Sequence, residues 1–265
     1  MIKEITSLKN PRIKNLLLLK EKSKQRREQG LFIIEGKREV LLAINSGYSI
    51  ETIYIEPQLC AAHELEQLEA QKLECIQIDS KIYEKVAYRG STEGIIAVAK
   101  CKDLSLEQLS IKSKTPLVLV AESPEKPGNI GALLRTADAA KVYAVLVANP
   151  RTDMYNPNVI RSSVGGIFST QIATGSTEEI IAYLKKHNIA IYSAILQESK
   201  PYTEPNFQNP TALVVGTEST GLSEQWRSEA IQCIHIPMLG HVDSMNVSVA
   251  AGILIFEAKR QRAFK

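Results

Sequence analysis

Three loops of the chain carry polar residues at spacings that suit a bound ligand. The first lies in ESPEKPGNIGALLRTADAA, from Glu122, where Asn129 sits between Gly128 and Ile130-Gly131 and Arg135 follows. At a strand-to-helix turn, an Arg so placed suits a phosphate or hydroxyl oxygen. The second, LVVGTESTGLS from Leu213, has Gly216 directly after an apolar run and Glu218 two residues on. A glycine there lets a ligand approach the backbone closely, and Glu218 is a carboxylate at the same mouth. The third runs from Ile236 to Arg262 and sets Ser244, Asn246 and Ser248 at alternate positions where a helix must begin. Local structure accounts for each residue alone. Asn129 and the Ser/Asn set serve as helix caps, Glu218 complements a helix dipole, and Arg135 is a surface cation. Three polar residues in the third loop are nevertheless more than one cap requires.

Several chemistries are disfavoured by the same residues. Positions 126 and 133 are Lys and Leu, so Gly128 and Gly131 do not complete a G-x-G-x-x-G, and a nucleotide-dependent dehydrogenase is a weak reading. Cys60, Cys75, Cys101 and Cys233 form no CxxC pair and the four histidines fall in no metal frame, so no metal site and no disulfide framework is expected. No apolar run reaches the length of a membrane span, and the first residues, MIKEITSLKNPRIKN, contain no apolar signal core. A cytoplasmic protein without a membrane partner is the expectation.

The elements that must position the three loops come from pattern. Within 1–100, strands are predicted at Leu31–Ile34, Thr52–Ile55, Cys75–Ile78 and Gly94–Ala99, with helices at Asn10–Glu28, Lys37–Ser46, Cys60–Lys72 and Ser80–Ala87. This reads as a small mixed α/β domain. Residues 1–40 carry eleven Lys or Arg against five Glu, most of them on the first helix. Such a face suits a phosphate backbone, although a solvated surface explains it equally well. The polar stretch 101–113 is a candidate linker. From 114 to 265, apolar strands at Leu117–Ala121, Val142–Ala148, Ile189–Ala194, Ala212–Val215 and Ile231–Ile236 alternate with helices at Gly131–Ala140, Thr177–His187, Ser223–Ser228 and Val247–Arg262. Near-continuous apolar strands separated by helices predict an α/β domain with a parallel sheet covered on both faces. Ligands of such sheets gather beyond the carboxyl ends of the strands, where all three loops fall.

Taken in order, the loops resemble the SpoU (TrmH) family of RNA 2′-O-ribose methyltransferases, within the SPOUT superfamily. Asn129, Gly131 and Arg135 match its first motif, and Gly216, Glu218 and Gly221 its second. Ile236–Gly240 with Ser244–Ser248 match its third. NPNVIRSSVGGIF, from Asn156, resembles a further family segment. SLKNPRIK and GLFIIEGKREV resemble the L30e-like substrate-binding domain that precedes the catalytic domain in many members. Met245 replaces the usual Leu, and Lys126 stands where an Asp often precedes the motif Pro.

The resemblance implies a fold, a cofactor and roles. The C-terminal domain would thread into a trefoil knot, which no sequence pattern would suggest. S-adenosylmethionine would bind there through Gly216, Ile236 and Met245, and no metal would be needed. Arg135 would act on the ribose hydroxyl. Because a guanidinium stays protonated in essentially all proteins, it is read as a cation that stabilises a developing alkoxide rather than as a base. Asn129, Glu218, Ser244 and Asn246 would orient the ribose, Arg135 and one another. A homodimer through the knotted domain is implied, with Ala250, Ala251 and Gly252 of the last helix permitting close approach and Val249, Ile253 and Phe256 forming an apolar stripe. The substrate implied is structured RNA. Ribosomal RNA is favoured by analogy with the L30e-like domain; tRNA, or a non-catalytic RNA-binding role, is the alternative.

Overall fold

The computed structural model describes residues 3–60, 73–88, 93–217, 220–242 and 244–264. Its contacts divide the chain into two compact units, Met1–Lys102 with Asp153–Ser169, and Asp103–Thr152 with Thr170–Lys265. The segment Asp153–Ser169, which the sequence pattern placed within 114–265, therefore packs with the first unit. The polar stretch expected as a linker is held to the second unit from Asp103 onward. Leu104 O accepts from the Thr174 N–H at 2.6 Å, and the hydroxyls of Tyr143 and Tyr183 donate to Ser110 O and Leu109 O.

The first unit is built on five strands, β1 (Lys3–Ile5), β2 (Leu31–Glu35), β3 (Ile50–Ile55), β4 (Cys75–Ile78) and β5 (Ile95–Lys100), in the order β1-β4-β3-β5-β2. β4 is parallel to β1 and β3, while β5 is antiparallel to β2 and β3. The unpredicted β1 is three residues long with only Ile5 buried, too little for a periodic signal. The predicted helix Cys60–Lys72 falls almost wholly outside the described residues.

The single helix expected over Asn10–Glu28 is two helices, Pro11–Glu21 and Ser23–Gln29, broken where Lys22 turns extended (φ −114°, ψ 107°). Arg26 supplies the physical reason. The residue is 2% exposed, and its guanidinium turns inward and donates to Leu19 O at 2.6 Å and Lys20 O at 3.2 Å. These are carbonyls that the end of the first helix would otherwise leave unpaired. Arg26 also pairs with Asp153 at 2.6 Å. It is therefore an interior cation and does not belong to the basic face. Arg12 and Lys3 are likewise engaged, with Glu74, at 2.9 and 3.0 Å.

The Glu74 cluster gives a pH signature. Hydrogen bonds from Arg12, then Lys3, hold the Glu74 carboxyl well below its usual range, at about 2. A carboxyl lowered in the folded state stabilises above its unfolded value, and that contribution is lost as pH falls towards the folded one. The stability difference between wild type and Glu74→Gln, measured by urea unfolding, should be constant above about pH 4.5 and shrink between there and about pH 2. A difference that persists unchanged at the acid end would refute the assignment.

Asp153–Ser169 enters the first unit through an aromatic cluster. The Tyr155 ring stacks on Phe32 at 4.4 Å between centroids, and Phe168 meets Tyr48 edge-on at 5.1 Å. Gly165, at φ +82°, lies so close to Leu42 that a Cβ would be 2.6 Å from its Cδ1. The thiol of half-buried Cys101 is pushed up to about 11, first by burial and then by Asp153, which disfavours its thiolate form.

The second unit has a wholly parallel sheet of seven strands: β6 (Leu117–Glu122), β7 (Ala144–Ala148), β8 (Ile172–Gly175), β9 (Ala190–Ala194), β10 (Lys200–Pro201), β11 (Thr211–Val215) and β12 (Gln232–His235). Their order is β10-β12-β9-β11-β6-β7-β8. The parallel expectation holds, and only the edge strands β8 and β10 went unpredicted. β6, β7 and β11 are buried along their whole length, as strands covered on both faces must be. Val120, Leu146, Ile191, Val214 and Trp226 lie in one core cluster. Among the described residues, no helix is long and apolar enough to cross a membrane.

Candidate active site

β6 and β11 are neighbours in register, with Ala121 beside Val215. The loops that leave their carboxyl ends therefore emerge side by side, and this adjacency brings the first and second sequence signals together. They share a cavity of about 240 Å³ lined by Glu122, Pro124, Lys126, Asn129, Gly216 and Val247, among others. The third signal reaches the same place from farther off. β12 lies beyond β9, two strands from β11, yet the loop after it returns to start the helix Val247–Gln261, which packs along the helix Pro127–Ala139.

These two helices run side by side in the same direction. At their N-terminal ends the Asn246 Nδ2 donates to Asn129 Oδ1 at 3.2 Å. Midway, Gly252 faces Thr136, whose Cγ2 would be 3.7 Å from an added Cβ. At their far ends the Lys259 ammonium donates to Lys141 O at 3.2 Å.

Asn129 is not a cap. Lys126 occupies the cap position without a side-chain bond, Pro127 opens the first turn, and Asn129 stands inside that turn, where its Oδ1 meets Asn246. Asn246 is the cap of its own helix. Its Oδ1 accepts from the Ser248 N–H at 3.0 Å and from the Ser248 hydroxyl at 2.6 Å. With Oδ1 so occupied, the Asn246 amide nitrogen must point at Asn129. Ser248 is thus an orienting residue. Ser244 is exposed and Met245 half-buried, two and one positions before the cap.

Arg135 is exposed on the helix Pro127–Ala139 beyond Asn129, and among the described residues it has no hydrogen-bond or ion-pair partner. Its neighbours Leu133, Leu134 and Ala137 are buried, so the backbone under it is fixed while its side chain reaches solvent. Glu218 lies outside the described residues.

Gly216 is also required bare by the chain itself. A Cβ there would come within 2.3 Å of the Gly221 carbonyl carbon and 2.6 Å of the Leu222 nitrogen. Its bareness lets the loop close on itself, as the paired Thr217 and Gly221 backbone bonds (3.2 and 3.1 Å) also require. Ile236 faces a second cavity, of about 430 Å³, with Leu196 from the loop after β9 and Pro237, Met238 and Val242 from its own loop. Among the described residues, Met238–Val242 make no backbone hydrogen bond to the rest of the chain. An apolar wall beside free main-chain donors and acceptors suits a purine and a polar tail, so these residues fit an adenosyl ligand held by backbone groups.

One residue of the site escaped sequence reasoning. Glu122, the last residue of β6, is 6% exposed and lines the first cavity. Its Oε1 accepts from Thr177 Oγ1 at 3.0 Å and Ser223 Oγ at 2.7 Å, and its Oε2 from the Ser223 N–H at 2.7 Å. The available signal was a carboxylate closing the otherwise apolar run LVLVAE.

Comparison with known proteins places the chain among relatives. The SpoU rRNA Methylase family matches residues 116–256, and an MRM3-like substrate binding domain matches residues 10–97. A 23S rRNA guanosine 2′-O-methyltransferase of Bacillus subtilis is 28% identical over 258 residues, covering 97% of this chain and all of the relative. A solved structure described as an RNA 2′-O ribose methyltransferase superposes with a TM-score of 0.86 at 39% identity, over 98% of this chain and 99% of the other. The AdoMet-bound rRNA methyltransferase of Sinorhizobium meliloti superposes with a TM-score of 0.89 at 27% identity, over 98% of both chains.

Proposed function

This chain belongs to the SpoU rRNA methylase family, and from that premise we infer that it is an S-adenosylmethionine-dependent RNA methyltransferase, moving a methyl group to a ribose 2′-hydroxyl of ribosomal RNA. The observation that carries the reading is the bond from Asn246 to Asn129, which joins the first and third loops at the carboxyl end of the parallel sheet. The cofactor supplies an electrophilic methyl carried on a sulfonium. Gly216, Ile236 and Met245 are the residues proposed to hold it. Arg135 is proposed to stabilise the 2′-oxygen as its proton leaves, since an alkoxide is a poor species at neutral pH without a nearby cation. Asn129, Asn246, Ser244 and Glu218 are proposed to orient the ribose, with Ser248 fixing the Asn246 amide.

The remaining roles follow the family. The first unit is proposed as the RNA-binding domain, with the exposed Lys9, Lys14, Lys22 and Arg27 reading phosphates. The chain between β12 and its final helix is proposed to pass through the trefoil knot; its route from β12 back to the β6–β11 side of the sheet supports this. A cytoplasmic location follows from an RNA substrate.

A homodimer through the second unit is also proposed. On the final helix Ala251, Leu254, Ile255 and Ala258 face inward. Val249 and Phe256 are 53% and 46% exposed, with half-buried Ile253 between them. The small residues serve packing within the chain, so the outward stripe is the part left for a partner. Phe256→Glu should convert a dimer to a monomer in size-exclusion chromatography with light scattering; a wild type already monomeric at micromolar concentration would sink the proposal.

The activity is tested by digesting ribosomal and transfer RNA from cells with and without the gene and comparing 2′-O-methylnucleosides by mass spectrometry. Loss of one such nucleoside from ribosomal RNA is expected. A change confined to tRNA would move the substrate, and no change in either pool would overturn the function.

A further inference from the structure

Glu122 is the one buried charge on the wall of the first cavity. The other charged residues there, Glu125 and Lys126, are exposed, and Glu125 is paired with Arg151. Exposed charges are screened by water and salt, whereas a buried one projects its field into the adjoining space. The Glu122 carboxylate is also fixed in place. Three donors meet its two oxygens, and one of them, Thr177 Oγ1, accepts in turn from Asn149 Nδ2 at 2.9 Å. Asn149 directly follows β7, Thr177 opens the helix after β8 and Ser223 sits at the start of the helix Glu224–Glu229, so the carboxylate cannot swing away without disturbing three separate segments at once.

We infer that Glu122 sets the preference of this site for the cationic cofactor over its neutral product. S-adenosylmethionine carries one net positive charge, and S-adenosylhomocysteine carries none. Transfer of the methyl cation to the ribose oxygen, with loss of the hydroxyl proton, converts the first into the second. A fixed anion in the wall therefore favours the reactant and ceases to hold the product once the methyl has gone. The inference rests on the proposed placing of the cofactor against Gly216, which lines the same cavity as Glu122.

The test is calorimetric titration of both ligands into wild type, Glu122→Gln and Glu122→Asp. Gln has nearly the same shape, and the hydroxyls of Ser223 and Thr177 can rotate to accept from its amide, so the contacts survive and the charge does not. The ratio of affinities, S-adenosylmethionine over S-adenosylhomocysteine, should fall on the order of tenfold in Glu122→Gln, with the product's own affinity little changed. Glu122→Asp keeps the charge but withdraws it by one methylene, and should give a smaller fall in the same direction. Equal weakening of both ligands would make Glu122 a purely structural residue and overturn the inference, as would an unchanged ratio. Should Glu122→Gln fail to fold, Glu122→Asp decides by the same criterion. A wild type that binds neither ligand would instead overturn the cofactor reading itself.

Discussion

Arg135→Ala is expected to leave S-adenosylmethionine affinity within about twofold of wild type and to lower methyl transfer by about a hundredfold or more. The first half follows from position. Arg135 is exposed, has no partner among the described residues, and lies on a helix whose inward face is formed by Ile130, Leu133, Leu134 and Ala137. Truncating it removes no buried contact, so the fold and the apolar cofactor wall should persist. The second half follows from chemistry. A ribose hydroxyl deprotonates far above neutral pH, and a cation aimed at the forming oxyanion contributes chiefly in the transition state. Arg135→Lys separates charge from shape, since an ammonium keeps the charge but not the planar fork. Partial activity in Arg135→Lys with none in Arg135→Ala would support an electrostatic role. Transfer of labelled methyl to ribosomal RNA measures the rate and calorimetry measures the cofactor. Activity in Arg135→Ala within threefold of wild type would refute the role.

Much of this site was legible because parallel sheets announce themselves. The runs LVLVA and ALVV are apolar without alternation, and that pattern alone placed their carboxyl-end loops where ligands collect. Neighbouring strands then did the rest, since β6 and β11 pair although 88 residues of chain separate their ends. What pattern could not supply was anything that depends on a distant partner. Arg26 reads as one more cation in KSKQRREQ, and only Asp153, 127 positions away, turns it inward. That single inward turn also broke a helix which local propensity would have continued, because Arg26 completes the carbonyls of the turn before the break.

Gly216 and Glu122 each carry something that sequence did not mark, for related reasons. Gly216 suits a close-approaching ligand, and the structure adds that its bareness also admits the chain's own backbone at Gly221. Glu122 ends a strand, and Thr177 and Ser223 close over it. Both features concern a loop folding back on a strand end. Sequence marks where such a loop leaves the sheet and carries no mark of where it returns. Asn246 shows the converse. Its role as a cap was readable, and the cap itself, by occupying Oδ1 with Ser248, is what aims the amide at Asn129.

Asp153→Ala is expected to destabilise the first unit by about 3–5 kcal/mol. The Arg26 and Asp153 side chains are 3% and 10% exposed, and their 2.6 Å contact is the one carboxylate partner of that guanidinium among the described residues. Removing the carboxylate leaves Arg26 a buried charge satisfied only by the Leu19 and Lys20 carbonyls, which cannot neutralise it. The loss is therefore larger than for an exposed pair such as Lys3–Glu74. It should also be confined. The chain's single Trp, Trp226, is buried in the second unit, so its fluorescence reports that unit, whereas far-ultraviolet circular dichroism reports both. In urea the dichroism transition should move to lower concentration in Asp153→Ala while the fluorescence transition moves less. Arg26→Met with Asp153→Leu, which removes both charges and keeps apolar volume, should recover most of the stability. If the double variant is no better than Asp153→Ala, packing by the aromatic cluster rather than charge neutralisation holds Asp153–Ser169 in place.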